Sequence, residues 1–402
     1  MNKGYLETEV DGKKAYILRD SFDRLRRIDT VIFDCDGVLI DVRESYMKTI
    51  PETVAYIIRE ITGFPFPKKL VSKTIIHSFK KCGGFNNDWD LAYAILMFIL
   101  CNLTESFQEV FRKYVSSNRY RNNLFRRFRY VKEGIRNEYT PHGLDTVVFK
   151  LEGKLKEFAE KLDASGIASI EKGLVNHENN SLICSEYHAS VKDFLSYPGD
   201  VGESIITRIF EEIFCGPQLF QEVYRLVPRF YQGRGFIENE QVIVLPQTLN
   251  QLVSILSKPN LGISSGRSFK LAKYTLKGLL EKFSSKALIF LDDIEAAERE
   301  KIGEKGLSIN LGKPHPFSLF ASSKELEPFN FALYVGDSME DAIMVKEANK
   351  LDSRFLYAGV YSCSDCKEEV LHNFLRAESN ILLPSVNELP VILKTLKGKK
   401  KA

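Results

Sequence analysis

The chain has one tryptophan, five methionines and six histidines in 402 residues, and no apolar run reaches the roughly 18 residues that a membrane span needs. Its opening, Met1-Asn2-Lys3-Gly4, starts no apolar signal segment. We therefore expect a cytoplasmic protein with no membrane partner. His77, His142, His177 and His188 show no paired metal spacing and read as ordinary surface or core residues. An excess of one charge is also missing. Lys+Arg 56 against Asp+Glu 53 gives a net charge of +3, too balanced for the whole chain to imply nucleic acid. The seven cysteines are odd in number and scattered, which fits reduced thiols better than a disulfide framework. Cys363-Ser-Asp-Cys366 has metal or redox spacing, but no second pair accompanies it, and a structural or incidental part is the expectation.

What is present belongs to an ordinary globular protein: 44% hydrophobic and 27% charged residues. A chain of 402 residues exceeds a single typical domain, so a core plus a second domain or large insertion is expected. Residues 5 to 18 alternate weakly around Asp11-Gly12, a hairpin pattern, and a short helix over about 22 to 27 should follow. Val31, Ile32 and Phe33 then form an apolar run without polar alternation, the pattern of a strand buried on both faces. Immediately after it come Asp34 and Asp36. Side chains two apart on an extended chain point the same way, so the two carboxylates converge while Cys35 faces elsewhere. Carboxylates that close repel unless a cation sits between them, and Mg²⁺, which takes one or two carboxylates and keeps room for phosphate oxygens, is the natural candidate. Gly37 lets the backbone turn sharply beside the ligand.

After Asp41 the periodicity becomes helical and stays so to about residue 240, with expected helices over 43 to 60, 89 to 101, 105 to 116, 144 to 162, 201 to 214 and 218 to 225. The next core strand is not met until Leu261. Unstructured connections beyond ~15 residues are uncommon inside compact domains, so residues 43–240 are expected to be a mostly helical domain inserted into a core made of 1–42 and 241–402. Within it, Gly83-Gly84-Phe85-Asn86-Asn87-Asp88-Trp89-Asp90 holds the only tryptophan. Two readings stand. Asn87 or Asp88 caps the helix that follows, or Asn86, Asn87 and Trp89 contact substrate. Nine basic residues from Arg112 to Arg136 interleave with Phe125, Phe128 and Tyr130. A solvated basic helix face is the first expectation, ahead of attraction for a small anionic substrate and of single-stranded nucleic acid.

From about Gln247 strand and helix alternate again, with strands expected at Leu261, Ala287 to Leu291, Phe331 to Val335, Arg354 to Ala358 and Ile381 to Leu383. That repeat builds an α/β, doubly wound parallel sheet with helices on both faces. All strand C-termini of such a sheet lie along one edge, where ligands bind. Asp34 and Asp36 follow the first strand; Ser264-Ser265-Gly266-Arg267 end the second, offering a hydroxyl and a backbone N–H at a helix start. Lys313 stands in Gly312-Lys-Pro-His-Pro316, and Asp337 and Asp341 in Gly336-Asp-Ser-Met-Glu-Asp341 after a later strand. Asp292 and Asp293 end the third and read best as caps of a helix from Ile294.

Asp34-Cys35-Asp36-Gly37-Val38-Leu39, a Ser-Gly strand end, Lys313-Pro and Gly336-Asp-x-x-x-Asp341, in this order, resemble the four motifs of the haloacid dehalogenase superfamily, whose members are mostly phosphatases. The resemblance implies a Rossmann-like core and a mobile cap, here larger than usual, that sets substrate choice. It implies Asp34 as the nucleophile forming an aspartyl-phosphate, Asp36 as acid and base, and Ser265 with Lys313 as the phosphate cradle. Asp34, the Asp36 carbonyl and Asp337 would hold Mg²⁺, with Asp341 acting through water, and Gly37 and Gly266 would line the phosphate. Either serine fits the family's hydroxyl, with Ser265, next to Gly266, preferred. Arg267 either points to substrate or makes a structural ion pair. The implied activity is hydrolysis of a small phosphorylated metabolite. A phosphomutase shares the motifs, and a non-catalytic scaffold is the remaining alternative, opposed by the complete acidic set.

Overall fold

The computed structural model describes residues 4–85, 87–117, 119–163, 165–175, 182–256, 258, 260–305, 309–363 and 366–398. Asn86 and the end of the terminal lysine run lie outside them. Asp11 and Gly12 both take positive φ, 50° and 74°, the two-residue turn that matches the natural twist of paired strands. They join β1 (Tyr5–Val10) to β2 (Lys13–Leu18), and a short helix, Phe22–Leu25, leads into β3 (Ile28–Phe33). Two further short strands, β4 (Ile40–Asp41) and β5 (Gln241–Val242), pair antiparallel with each other. β6 (Leu261–Ser264), β7 (Leu288–Ile289), β8 (Phe331–Gly336), β9 (Phe355–Val360) and β10 (Ile381–Leu383) complete the set.

Eight strands form one sheet in the order β1-β2-β10-β9-β8-β3-β6-β7. From β10 to β7 every neighbour is parallel; the hairpin joins antiparallel through Ile17 opposite Ile381. The hairpin thus extends the sheet rather than merely leading into it. β3 lies between β6 and β8, so the chain leaves the first core strand to one side and later returns on the other, the switch point at which such sheets open a crevice. Val31, Ile32 and Phe33 are fully buried, and alternation sends Val31 and Phe33 into one apolar layer and Ile32 into the opposite one. The same division runs through β8, with Leu333 and Val335 on the first side and Ala332 and Tyr334 on the second. Each large apolar side chain so buried contributes about 1.5–3 kcal/mol.

The third core strand is shorter than its apolar run. Helix Leu291–Lys305 begins at Leu291, so Asp292 and Asp293 sit in its first turn rather than before a helix at Ile294. Asp293 accepts from the Phe290 N–H, whereas Asp292 accepts from the Phe269 N–H and caps a different helix, Phe269–Leu276. Local spacing carries no information about that second helix.

The chain divides into two compact units, residues 1–42 with 240–402, and residues 43–239. The second unit is helical. Its helix Asp88–Cys101 is buried on every side from Leu91 to Cys101, as expected of a helix that is apolar all round. It packs against helices Tyr46–Thr62, Leu144–Ala159, Leu182–Leu195 and Ile205–Tyr224. Thr104 and Asn123 accept from the N–H groups of Phe107 and Arg126, capping helices Glu105–Ser116 and Leu124–Glu138. The separate helices expected on either side of residue 216 are divided by a break in the backbone at Gly216 (φ 72°, ψ 168°), ahead of Pro217. Among the described residues no single helix is long and apolar enough to cross a membrane.

Candidate active site

Asp34 leaves the C-terminal end of β3 still held as a strand residue: its N–H donates to the Val335 carbonyl of β8 at 2.9 Å. Its Oδ1 accepts from the Cys35 N–H at 2.8 Å, which fixes the carboxylate plane. The chain then tightens, with the N–H groups of Leu39 and Ile40 both donating to the Cys35 carbonyl. Gly37 takes φ +73°, and a Cβ there would lie 1.9 Å from Asp337 Oδ2. Glycine is therefore required twice over, by conformation and by the approach of Asp337 from the end of β8. Asp341 stands in the first turn of helix Met339–Ala348, where Ser338 and Asp341 form a reciprocal capping box. Carboxylate oxygens of Asp34, Asp337 and Asp341 all lie within 4.8 Å of one another, close enough for one cation to reach all three.

Among the described residues, Lys313 is the cationic side chain paired with this cluster. Lys313 Nζ is 2.9 Å from Asp34 Oδ2 and 2.8 Å from Asp341 Oδ1. Burial alone would lower the ammonium's pKa, but Asp34 and Asp341 outweigh it and raise the group above its ordinary value. The acids bear the remaining imbalance. Burial, opposed by Lys313 and reinforced by Asp341 and Asp36, pushes Asp34 up to about 6. Burial together with Asp341 and Asp34 holds Asp337 well above the carboxylate range. Three carboxylates around one ammonium are short of positive charge, and the all-oxygen donor set suits a hard divalent cation.

On the other side of β3, Ser264 ends β6 and Ser265 follows it, both buried. Ser264 Oγ donates to Ser318 Oγ at 2.9 Å, deep in the core, whereas Ser265 Oγ accepts from the Arg267 N–H at 3.3 Å. A Cβ on Gly266 would meet nothing within 4 Å, so packing does not demand a glycine there. Arg267 is placed otherwise than a substrate contact requires. Its side chain is fully buried; Nη1 donates to Asp36 Oδ1 at 2.7 Å and Nη2 to Glu240 Oε2 at 2.6 Å. Of the two readings its sequence position allowed, the ion pair is the one realised, because the guanidinium is enclosed between two carboxylates.

A family model for a hydrolase, haloacid dehalogenase-like hydrolase, matches residues 28–349, well over half of the chain. The chain belongs to the haloacid dehalogenase-like hydrolases. Similar folds occur among solved structures. A Northeast Structural Genomics Consortium X-ray structure is 17% identical with TM-score 0.64, over 91% of this chain and 98% of that chain. Phosphatase Tt82 from Thermococcus thioreducens is 18% identical with TM-score 0.48, over 92% and 99%. No curated protein matches the chain.

Elsewhere in this haloacid dehalogenase-like hydrolase, the helical unit's candidate contacts are engaged locally. Asn87 Oδ1 accepts from the Trp89 N–H at 2.8 Å and so caps its helix, and Trp89 Nε1 donates to Glu211 Oε1 at 2.9 Å. Asn86 is outside the described residues. The basic stretch is largely paired. Arg112 meets Glu186, Lys113 meets Glu138, Arg129 meets Glu133 and Lys132 meets Glu60, while Arg121 and the buried Arg127 converge on Asp193. Arg136 donates to the carbonyls of Arg59 and Glu60.

Two residues of the hydrolase core went unmarked by any motif. Tyr334 OH donates to the Ser264 carbonyl at 2.9 Å and lies 3.2 Å from Asp341 Oδ1, tying the ends of β6 and β8 together beneath the carboxylates. A hydroxyl-bearing ring in an otherwise apolar strand was its one signal. Glu240 is fully buried at its carboxylate and also accepts from Thr275 Oγ1 at 2.6 Å. Nothing near it in the chain announces that it faces Arg267.

Proposed function

We propose that the protein is a Mg²⁺-dependent phosphatase that hydrolyses a small phosphorylated metabolite through an aspartyl-phosphate. The reading is carried by one observation: the carboxylates of Asp34, Asp337 and Asp341 converge, and Lys313 pairs with Asp34 and Asp341, three acids to an ammonium. Asp34, Asp337, Asp341 and the Asp36 backbone carbonyl would hold the ion. When bound, it supplies charge neutralisation for the phosphoryl oxygens.

The chain's own residues account for the rest. An Asp34 oxygen attacks phosphorus as the bond to the leaving oxygen breaks, and that oxygen takes its electron pair with a proton from Asp36. Asp36 then removes a proton from water. The new P–O bond releases phosphate, and the electron pair of the acyl-phosphate bond returns to Asp34. Lys313 and the Ser265 hydroxyl complement the transferring group's charge, the main contribution in phosphoryl transfer. Residues 43–239 would act as the cap that selects the substrate. The internal pairing of its basic stretch supports a small ligand over nucleic acid.

Phosphate release from a panel of phosphorylated metabolites, with and without Mg²⁺, tests the reading. Asp34→Asn should abolish release and the acid-stable trace of phosphoenzyme alike. Release that survives this substitution unchanged would overturn the assignment of the nucleophile, and a sugar bisphosphate formed in place of free phosphate would indicate a mutase.

A further inference from the structure

Arg267 and Glu240 form, with Asp36, a carboxylate–guanidinium–carboxylate row whose two inner members are fully buried while Asp36 is 32% exposed. Such a row has a direction. Glu240 Oε2, the oxygen that accepts from Arg267, also accepts from Thr275 Oγ1 at 2.6 Å. Arg267 is fixed in its backbone as well, its N–H donating to Ser265 Oγ and its carbonyl accepting from the Leu291 N–H at 3.0 Å. Of the three only Asp36 reaches solvent, two residues from Asp34.

The geometry points to Arg267, anchored by Glu240, as a positioning residue that dictates which oxygen of Asp36 exchanges the proton. A guanidinium keeps its charge at every working pH and donates from a rigid planar fork, so one group sets the orientation of two carboxylates at once. Nη1 donates to Asp36 Oδ1 at 2.7 Å. A proton on that oxygen would confront the donor N–H, so Oδ2 carries it. Oδ2 therefore gives the proton to the leaving oxygen and later takes one from water, while Oδ1 stays with Arg267 throughout. Lysine would not reproduce this, because a point charge cannot hold both carboxylates in a fixed plane.

The inference rests on the phosphatase reading, and the experiment separates the two. kcat/KM, which reports steps up to departure of the leaving group, is measured with Mg²⁺ on phosphate monoesters running from 4-nitrophenyl through phenyl to ethyl phosphate. A poor leaving group needs the proton and a good one does not. Arg267→Met should lose roughly 100-fold on ethyl phosphate, a loss typical of general acid catalysis, and only a few-fold on 4-nitrophenyl phosphate. Arg267→Lys and Glu240→Gln should show the same trend with smaller slopes. Arg267→Met combined with Asp36→Asn should be no slower than Asp36→Asn alone. An equal loss on every ester, or none, would overturn the inference, and should Arg267→Met fail to fold, the slopes of Arg267→Lys and Glu240→Gln decide it. No turnover of any ester by the unaltered protein would instead overturn the phosphatase reading.

Discussion

Gly37→Ala is the substitution whose consequence follows most directly from the geometry. Two costs arise together. At φ +73° an alanine adopts the left-handed region, at about 1–2 kcal/mol. Its Cβ would also stand 1.9 Å from Asp337 Oδ2 and 2.4 Å from Asp337 Cγ, where ordinary contact begins near 3.4 Å, so the carboxylate must retreat by about 1.5 Å. A retreat of that size takes Asp337 out of the group it forms with Asp34 and Asp341. Gly12→Ala separates the two costs, since Gly12 has φ +74° but nothing within 4 Å of an added Cβ. Gly12→Ala should lose about 1–2 kcal/mol in urea unfolding, and Gly37→Ala at least as much. Only Gly37→Ala should weaken Mg²⁺ binding by calorimetry, by roughly 10–100-fold, the scale at which disturbed metal surroundings act. Equal Mg²⁺ affinity in the two variants would refute the reasoning that Asp337 belongs to a cation site.

Without divalent cations, stability should fall as pH rises from about 4 to about 6. The folded protein holds a proton on Asp34 through this window that the unfolded chain has released, a contribution of up to ~3 kcal/mol present below the window and lost above it. Mg²⁺ should therefore raise the melting temperature more at pH 7.5 than at pH 4.5, and an equal shift at both would contradict the charge imbalance described for the site. Lys313→Met removes the one ammonium between Asp34 and Asp341 and should cost about 3–5 kcal/mol in urea unfolding, in part restored by Mg²⁺. Phe33→Ala, at a fully buried position of β3, should cost about 3–5 kcal/mol through the cavity left behind. A cost under 1 kcal/mol would mean that β3 is not the centre of the sheet's core.

The apolar run at Val31, the turn at Asp11-Gly12 and the cap at Asn87 were legible in the sequence because each depends on neighbours within a few residues: side-chain alternation, positive φ, a side-chain oxygen beside free N–H groups. The six parallel strands were legible too, as apolar segments recurring between helical ones. Other features needed the folded chain. Asp292 caps a helix that begins 23 residues earlier, the hairpin becomes part of the sheet only by meeting β10, and Arg267 is claimed by Asp36 at a separation of 231 residues and by Glu240 at 27. An arginine beside a Ser-Gly strand end is equally suited to a substrate and to a buried acid. Which of them it meets is decided by strand order and register, and those follow from the burial of the whole sheet rather than from any stretch of it.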